Sequence, residues 1–255
     1  MIFNFNGLKL MNLNKYFSVL LLFAVTSLSA LHAEIKVGTK VFYPPFVTSP
    51  ASGFDIDLMK MICLRLKEEC RFIPMNFNNI FSHLDQGKID VAIGGISISL
   101  KRMEKYVFST PYLVSKGQFL ILKNSNINSV SELEGEEVGI IRGEDDGSAI
   151  YQILIKNYGS KFQIKQYNDV EDLISALSKQ KITAAFIHRD AAIYWIENSG
   201  NQLQALGKPE VIGNGIGIIA LPVNAPLIQR INEQLEAIEK DNSYLELYRI
   251  YLHSY

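Results

Sequence analysis

Residues 88–102, KIDVAIGGISISLKR, hold the change of pattern on which the fold turns. KIDVAIGG reads as a buried strand whose apolar run, Val91 to Ile93, is ended by Gly94 and Gly95. Glycine has no Cβ, so another group can come close to the backbone there. Ser97 adds a hydroxyl, Ser99 has the chemistry of an N-cap, and LKRMEKY after it reads as a helix with Arg102 one turn in. A helix start presents unpaired N–H groups and the positive end of the peptide dipoles, which attract a carboxylate or phosphate. A guanidinium at that point can add two parallel hydrogen bonds. Taken alone, S-x-x-R reads more simply as the cap of a surface helix with its arginine in water.

The surroundings change that balance. Before the segment, EIKVGTK (34–40) reads as a strand and GFDIDLMKMICLRLKEEC (53–70) as a helix, because Ile56, Met59, Cys63 and Leu66 recur at helical spacing. CRFIPM (70–75) follows as a strand and NNIFSHLDQG (78–87) as a short helix closed by Gly87. Strand and helix alternate, which predicts an α/β fold with a mainly parallel sheet flanked by helices. A second set repeats the order: GQFLILK, SVSELEG, EEVGII, a helix from about Ser148 to Tyr158, FQIKQY, DVEDLISALSKQ, ITAAFI, and a helix from Asp190 to Asn198. The strand GIGIIAL and two amphipathic helices between about Ala225 and Tyr251 complete the chain. No linker rich in Pro, Gly or Ser separates the sets, so two lobes joined by short crossing segments are expected. The bounds are 34–115 for the first part of lobe 1, 116–213 for lobe 2, and 214–255 for the return to lobe 1. Ligands bind outside the carboxyl ends of strands in open parallel sheets. GGISIS and IIRGEDDG lie at such ends, one in each set, which puts a ligand cleft between the lobes.

Composition narrows the classes. The 255 residues carry a formal net charge of -1, with 48% hydrophobic and 20% charged residues and no Lys/Arg block, so a nucleic-acid partner is not expected. Lys9 and Lys15 precede the uncharged run YFSVLLLFAVTSLSAL, and Ala33 offers a cleavage edge. Residues 1–33 therefore read as a signal peptide, its core of about 15 residues falling below the roughly 20 of a membrane span. Met11 would begin a conventional signal by itself, so the start is either Met1 or Met11. Cleavage removes two lysines and no acid, moving the formal charge from -1 to -3. No cysteine stands near Ala33 to take a lipid. Cys63 and Cys70 are the two cysteines of a chain read as exported, where a disulfide is the natural state and two buried thiols the alternative. His83, His188 and His253 lack metal-ligand spacing, and neither a metal nor another cofactor is implied.

GFDIDLMKMICLRL, then Phe77 followed by GKIDVAIGGISISLKRMEKYVFSTPY, closely resembles the family 3 periplasmic solute-binding proteins, the polar amino-acid receptors of ABC importers. FYPPF (42–46), LEGEEVGIIRG (133–143) and GIGI (215–218) belong to the same pattern, which covers essentially the whole chain after the signal. The resemblance implies a two-lobed periplasmic binding protein fold that closes over one small molecule. The ligand would be an amino acid or related carboxylate, the partner an inner-membrane ABC permease, and the receptor a monomer. By the same resemblance, Arg102 would hold the ligand's carboxylate, helped by Ser97 and the backbone around Gly95. Tyr43 and Phe77 would wall its side chain, and the cysteine spacing looks like the disulfide of the basic amino-acid and histidine receptors.

Three positions depart from the family pattern. Lys40 stands where an acid or a small residue is frequent, which weighs against an arginine or lysine ligand. Asp145, within GEDDG (143–147), stands near a position that often carries a small hydroxyl, and three adjacent acids there would repel a carboxylate. The family's ammonium-binding aspartate aligns with His188, leaving either His188 or Asp190 to face the ligand; Arg142 is a further anion contact or an exposed strand end. The resemblance extends to periplasmic cyclohexadienyl dehydratases, in which Glu144, Asp145 or His188 would be the general acid. A ligand-sensing module is a third reading, although no sensor-fusion domain follows Tyr255.

Overall fold

The structure is a computed structural model that describes residues 34–143 and 148–252. The expected signal peptide, and Glu144, Asp145 and Asp146 of the GEDDG loop, lie outside the described residues.

Two five-stranded sheets form the frame. Strands β1 (Ile35–Lys40), β2 (Cys70–Met75), β3 (Val91–Ala92), β4 (Val107–Phe108) and β10 (Ile219–Ala220) make the first, in the order β2-β1-β3-β10-β4. Strands β5 (Lys116–Leu122), β6 (Glu137–Ile141), β7 (Gln163–Tyr167), β8 (Ala184–His188) and β9 (Leu203–Val211) make the second, in the order β7-β6-β8-β5-β9. Each sheet has a parallel three-strand heart: β1 pairs with β2 and β3, and β6 with β7 and β8. The remaining neighbours are antiparallel, so both sheets are mixed and the expected parallel character is confined to those hearts. The physical reason is the crossing: strands that enter from the other sheet or return to it run against the βαβ direction.

Helices α1 (Phe54–Leu66), α2 (Phe77–Asp85), α3 (Leu100–Met103), α4 (Ala149–Tyr158), α5 (Val170–Ser178), α6 (Arg189–Asn198), α7 (Ala225–Lys240) and α8 (Ser243–Tyr251) connect and cover the strands. The helical spacing read for α1 has a packing cause, since Ile56, Met59, Ile62 and Cys63 are buried together against β1 and its neighbours. Ser99, Ser148 and Asp169 cap α3, α4 and α5 by accepting the N–H three residues on. A disulfide joins Cys63 in α1 to Cys70 at the start of β2.

The chain passes between the sheets twice. The outgoing and returning segments pair across Tyr112 N–H to Ile216 O (3.0 Å), Ile216 N–H to Leu113 O (2.8 Å) and Ile212 N–H to Ser115 O (3.0 Å). Among the described residues no helix is long and apolar enough to cross a membrane.

Candidate functional site

The carboxyl ends of all six heart strands meet in one cleft. β1 ends in Lys40, β2 leads to Phe77, and β3 leads to Gly94 and Gly95; β6 leads to Gly143, β7 to Asp169, and β8 ends in His188. Lys40, Tyr43, Asn76 and Phe77 face Ile141, Asn168, Asp169 and Glu171 across a cavity of about 80 Å³.

Arg102 is 5% exposed. Its helix, α3, is only four residues long, shorter than LKRMEKY suggests, because Lys105 and Tyr106 leave the helix to reach Asp85. So short a helix has little aligned dipole, and the guanidinium is the charge at this end of the sheet. It donates to Ser97 O at 3.1 Å and, across the cleft, to Gly143 O at 3.0 Å. Phe77 and Phe81 lie beneath it, with ring centres 5.4 and 4.8 Å from Cζ. These contacts fix the guanidinium plane.

The rings expected to wall a side chain surround a lysine. Lys40 Nζ lies 3.7 Å from the centre of the Tyr43 ring and 4.1 Å from that of Phe77. Tyr43 is in turn stacked on Phe46 at 5.6 Å.

His188 is fully buried and crosses from the second sheet to the first. Nδ1 lies 2.9 Å from the Tyr43 hydroxyl and Nε2 2.7 Å from Ser97 Oγ, which also meets Ser115 Oγ at 2.9 Å. Burial, with Lys40 and then Arg102 nearby, pushes the imidazole well below its ordinary pKa, so it is neutral, one ring nitrogen donating and the other accepting. A neutral histidine engaged on both nitrogens offers no charge to a ligand ammonium. Ser97, expected to reach the ligand through its hydroxyl, spends that hydroxyl on His188 and Ser115.

The Gly95 amide, expected to help hold a carboxylate, donates instead to Asp55 Oδ2 at 2.6 Å, and Tyr112 donates to the same oxygen at 2.8 Å. Asp55 is fully buried, and desolvation raises it to about 7 against those two hydrogen bonds and the Lys40 charge. Sequence reading passed over Asp55, Ser115 and Tyr112; an acid two residues after Gly53 looks like an ordinary first-turn helix residue, and only its burial sets it apart.

Asp190 goes elsewhere. It lines a second cavity of about 260 Å³ with Pro45, Thr48, Tyr194, Glu197 and Tyr251, sharing no residue with the first, and burial raises its carboxyl above the usual range. Of the two alternatives for the family's ammonium-binding acid, His188 is therefore the one that joins Arg102, Ser97 and Tyr43. Arg142 is exposed. Asp145 is outside the described residues, and among those described no group of three His, Cys, Asp or Glu could hold a metal ion.

Two lobes that offer strand ends, an arginine and aromatic rings to one cleft define a solute-binding protein of the hinged, two-lobed class. The pattern of the bacterial extracellular solute-binding proteins, family 3, matches residues 35–254, and the chain belongs to that family. It is similar to an arginine third transport system periplasmic binding protein from Legionella pneumophila, with 31% identity and a TM-score of 0.80 over 86% of this chain and 99% of that one. ABC transporter arginine-binding protein 1 of Escherichia coli (strain K12) is 26% identical over 84% of this chain and 88% of its own length. The histidine-binding periplasmic protein of Salmonella typhimurium is 26% identical over 89% and 91%.

Proposed function

We propose that this protein is the periplasmic receptor of an ABC importer, exported by cleavage near Ala33, which captures a polar amino acid or related small carboxylate and presents it to an inner-membrane permease. The lobes are 34–115 with 214–255, and 116–213. The observation that carries the reading is the meeting of six parallel strand ends from two sheets around the buried guanidinium of Arg102. Arg102 receives the carboxylate; its bond to Gly143 O joins that event to the second lobe, so ligand and closure are coupled at one residue. A ligand can favour closure only by binding the closed arrangement more tightly than the open one.

A receptor is favoured over a dehydratase by the state of His188. A general acid needs a proton to give near neutral pH, and this imidazole is held neutral between two hydroxyls. The proteins it resembles in sequence are named for binding.

Arg102→Ala should weaken carboxylate binding by roughly 2 to 5 kcal/mol, the effect of leaving a desolvated charge unpaired. Titration calorimetry on protein stripped of carried-over ligand reads this directly, with a circular dichroism spectrum to show that the variant is folded. Affinity within a few-fold of wild type would remove Arg102 from the site.

A further inference from the structure

The segment that carries Ser97 and the two crossing segments form one ribbon. Residues 96–98 pair with the returning segment through Gly217 N–H to Ile96 O (3.1 Å), Ile98 N–H to Gly215 O (2.8 Å) and Asn214 N–H to Ile98 O (2.9 Å). The returning segment pairs in turn with the outgoing one, Ile216 bridging both Ser97 and Leu113. Asp55 reaches both outer members of this ribbon. Its Oδ2 accepts the Gly95 N–H at 2.6 Å, at the head of the Ser97 segment, and the Tyr112 hydroxyl at 2.8 Å, on the outgoing segment. Tyr112 is itself pinned, its N–H donating to Ile216 O at 3.0 Å and its carbonyl accepting from the Tyr244 hydroxyl of α8. The main chain at the start of α1 holds a third part of the site. Phe54 N–H donates to Pro45 O at 2.9 Å and Asp55 N–H to Phe46 O at 3.0 Å, in the loop that carries Tyr43.

The turn that Asp55 holds has little room to shift. Gly95 lies at φ +65°, and a Cβ there would stand 3.0 Å from Phe46 Cδ2 and 3.1 Å from Tyr43 Cε1, so the turn is seated against the aromatic loop. Two residues on, Ser97 accepts from Arg102 through its carbonyl at 3.1 Å and meets His188 through its hydroxyl at 2.7 Å. A displacement at Gly95 therefore moves the groups that orient the guanidinium and the inter-lobe histidine together. Asp55 is fully buried and lines neither of the two cavities, so it acts on a ligand only through these neighbours. A buried amide or hydroxyl left without its acceptor is costly and shifts to find another. A site whose supporting shell is loose by about 1 Å loses function although its own residues are present. Resting on the receptor reading above, we infer that Asp55 is a positioning residue: one carboxylate oxygen staples the Gly95 turn to the outgoing crossing segment, and ligand affinity depends on that staple.

The test is calorimetry on ligand-stripped protein with arginine, lysine, histidine, glutamate and glutamine, for wild type, Asp55→Ala, Asp55→Asn and Tyr112→Phe, with urea unfolding of each alongside. Asp55→Ala removes the acceptor of both bonds, Tyr112→Phe removes the bond to the crossing segment alone, and Asp55→Asn keeps one oxygen to accept both. For the amino acid that wild type binds most tightly, Asp55→Ala should lose affinity about tenfold or more and Tyr112→Phe about fivefold, while Asp55→Asn stays within about twofold. The control for stability alone is the Cys63→Ser, Cys70→Ser protein, weakened at the opposite ends of the strands. An aspartate that only stabilises the fold would lower the urea midpoint and leave the affinity of the folded alanine and phenylalanine variants unchanged, and that result overturns the inference. So does an asparagine variant as weak as the alanine one, or a control that loses as much affinity as either. Tyr112→Phe carries the test if Asp55→Ala does not fold. If an amino acid binds wild type and the variants alike, the inference fails and the receptor stands; if none of the five binds wild type, the receptor reading fails and the inference falls with it.

Discussion

Asp55 and Asp57 are two residues apart in the first turn of α1, and no sequence rule separates them: both look like acids placed to favour a helix N-terminus. Tertiary structure gives them opposite lives. Asp57 pairs with Lys60 at 2.9 Å and accepts from Tyr251, half in water, whereas Asp55 is sealed beneath the Gly94–Gly95 turn with its pKa raised to about 7. The consequence has a definite sign. An unfolded aspartate loses its proton near 4, but the folded protein keeps it to about 7, so the folded state holds more protons in that window and stability falls as pH rises through it. A shift of this size corresponds to about 4 kcal/mol at 1.36 kcal/mol per unit. Asp55→Asn stays neutral throughout. Urea unfolding at intervals from pH 4 to 8 should show wild type losing about 4 kcal/mol relative to the variant, with every other titrating group common to both. Parallel curves would mean that the carboxyl is ionised in the fold.

At the scale of elements, the strands and helices with clear periodicity were legible, and two misreadings have physical causes. β9, Leu203–Val211, went unread because Gly207 and Pro209 interrupt it; an edge strand tolerates both, and β9 pairs only with β5, where the register shifts between Gly117 and Phe119. GIGIIAL reads as a full strand, yet only Ile219 and Ala220 join the ladder, the preceding residues being spent on the crossing segments. The disulfide belongs to this scale too. Ile35 pairs with Cys70 and Lys40 with Met75, so the bridge ties α1 to the amino ends of the strands while the cleft lies at their carboxyl ends, roughly 17 Å away at 3.3 Å per residue. Cys63→Ser with Cys70→Ser should therefore cost roughly 2 to 3 kcal/mol of stability, the effect of freeing a short loop in the unfolded chain. Ligand affinity should stay within twofold. A lost urea midpoint together with a tenfold loss of affinity would show that the bridge shapes the cleft.

For the whole molecule the question is what ties closure to solution conditions, and His188 is the group placed to do so. Tyr43 and Ser97 of the first lobe hold it from one side, and its own strand β8 anchors it in the second. Its surroundings when the lobes meet are the Tyr43, Ser97 and Ser115 hydroxyls, the Phe46 ring, and the cations Lys40 and Arg102; nothing among the described contacts stabilises an imidazolium. When the lobes part, the ring regains water and the Lys40 and Arg102 charges recede, so its pKa returns toward the ordinary 6.5. Closing must then expel a proton at any pH below that value, and ligand binding, which requires closing, weakens with it. The sign is opposite to that of Asp55, and the two effects separate cleanly. Asp55 bonds to Gly95 and Tyr112, both on its own side of the cleft, so its proton follows folding and not closure. Affinity should be level above pH 7 and fall progressively below 6.5, while His188→Gln, which cannot take up a proton, should bind more weakly at neutral pH but with a flat profile between 5 and 8. Calorimetric titrations of both proteins across that range decide the matter: a wild-type affinity that does not change below 6.5, or a glutamine variant that keeps the same decline, would assign the closing proton to another group.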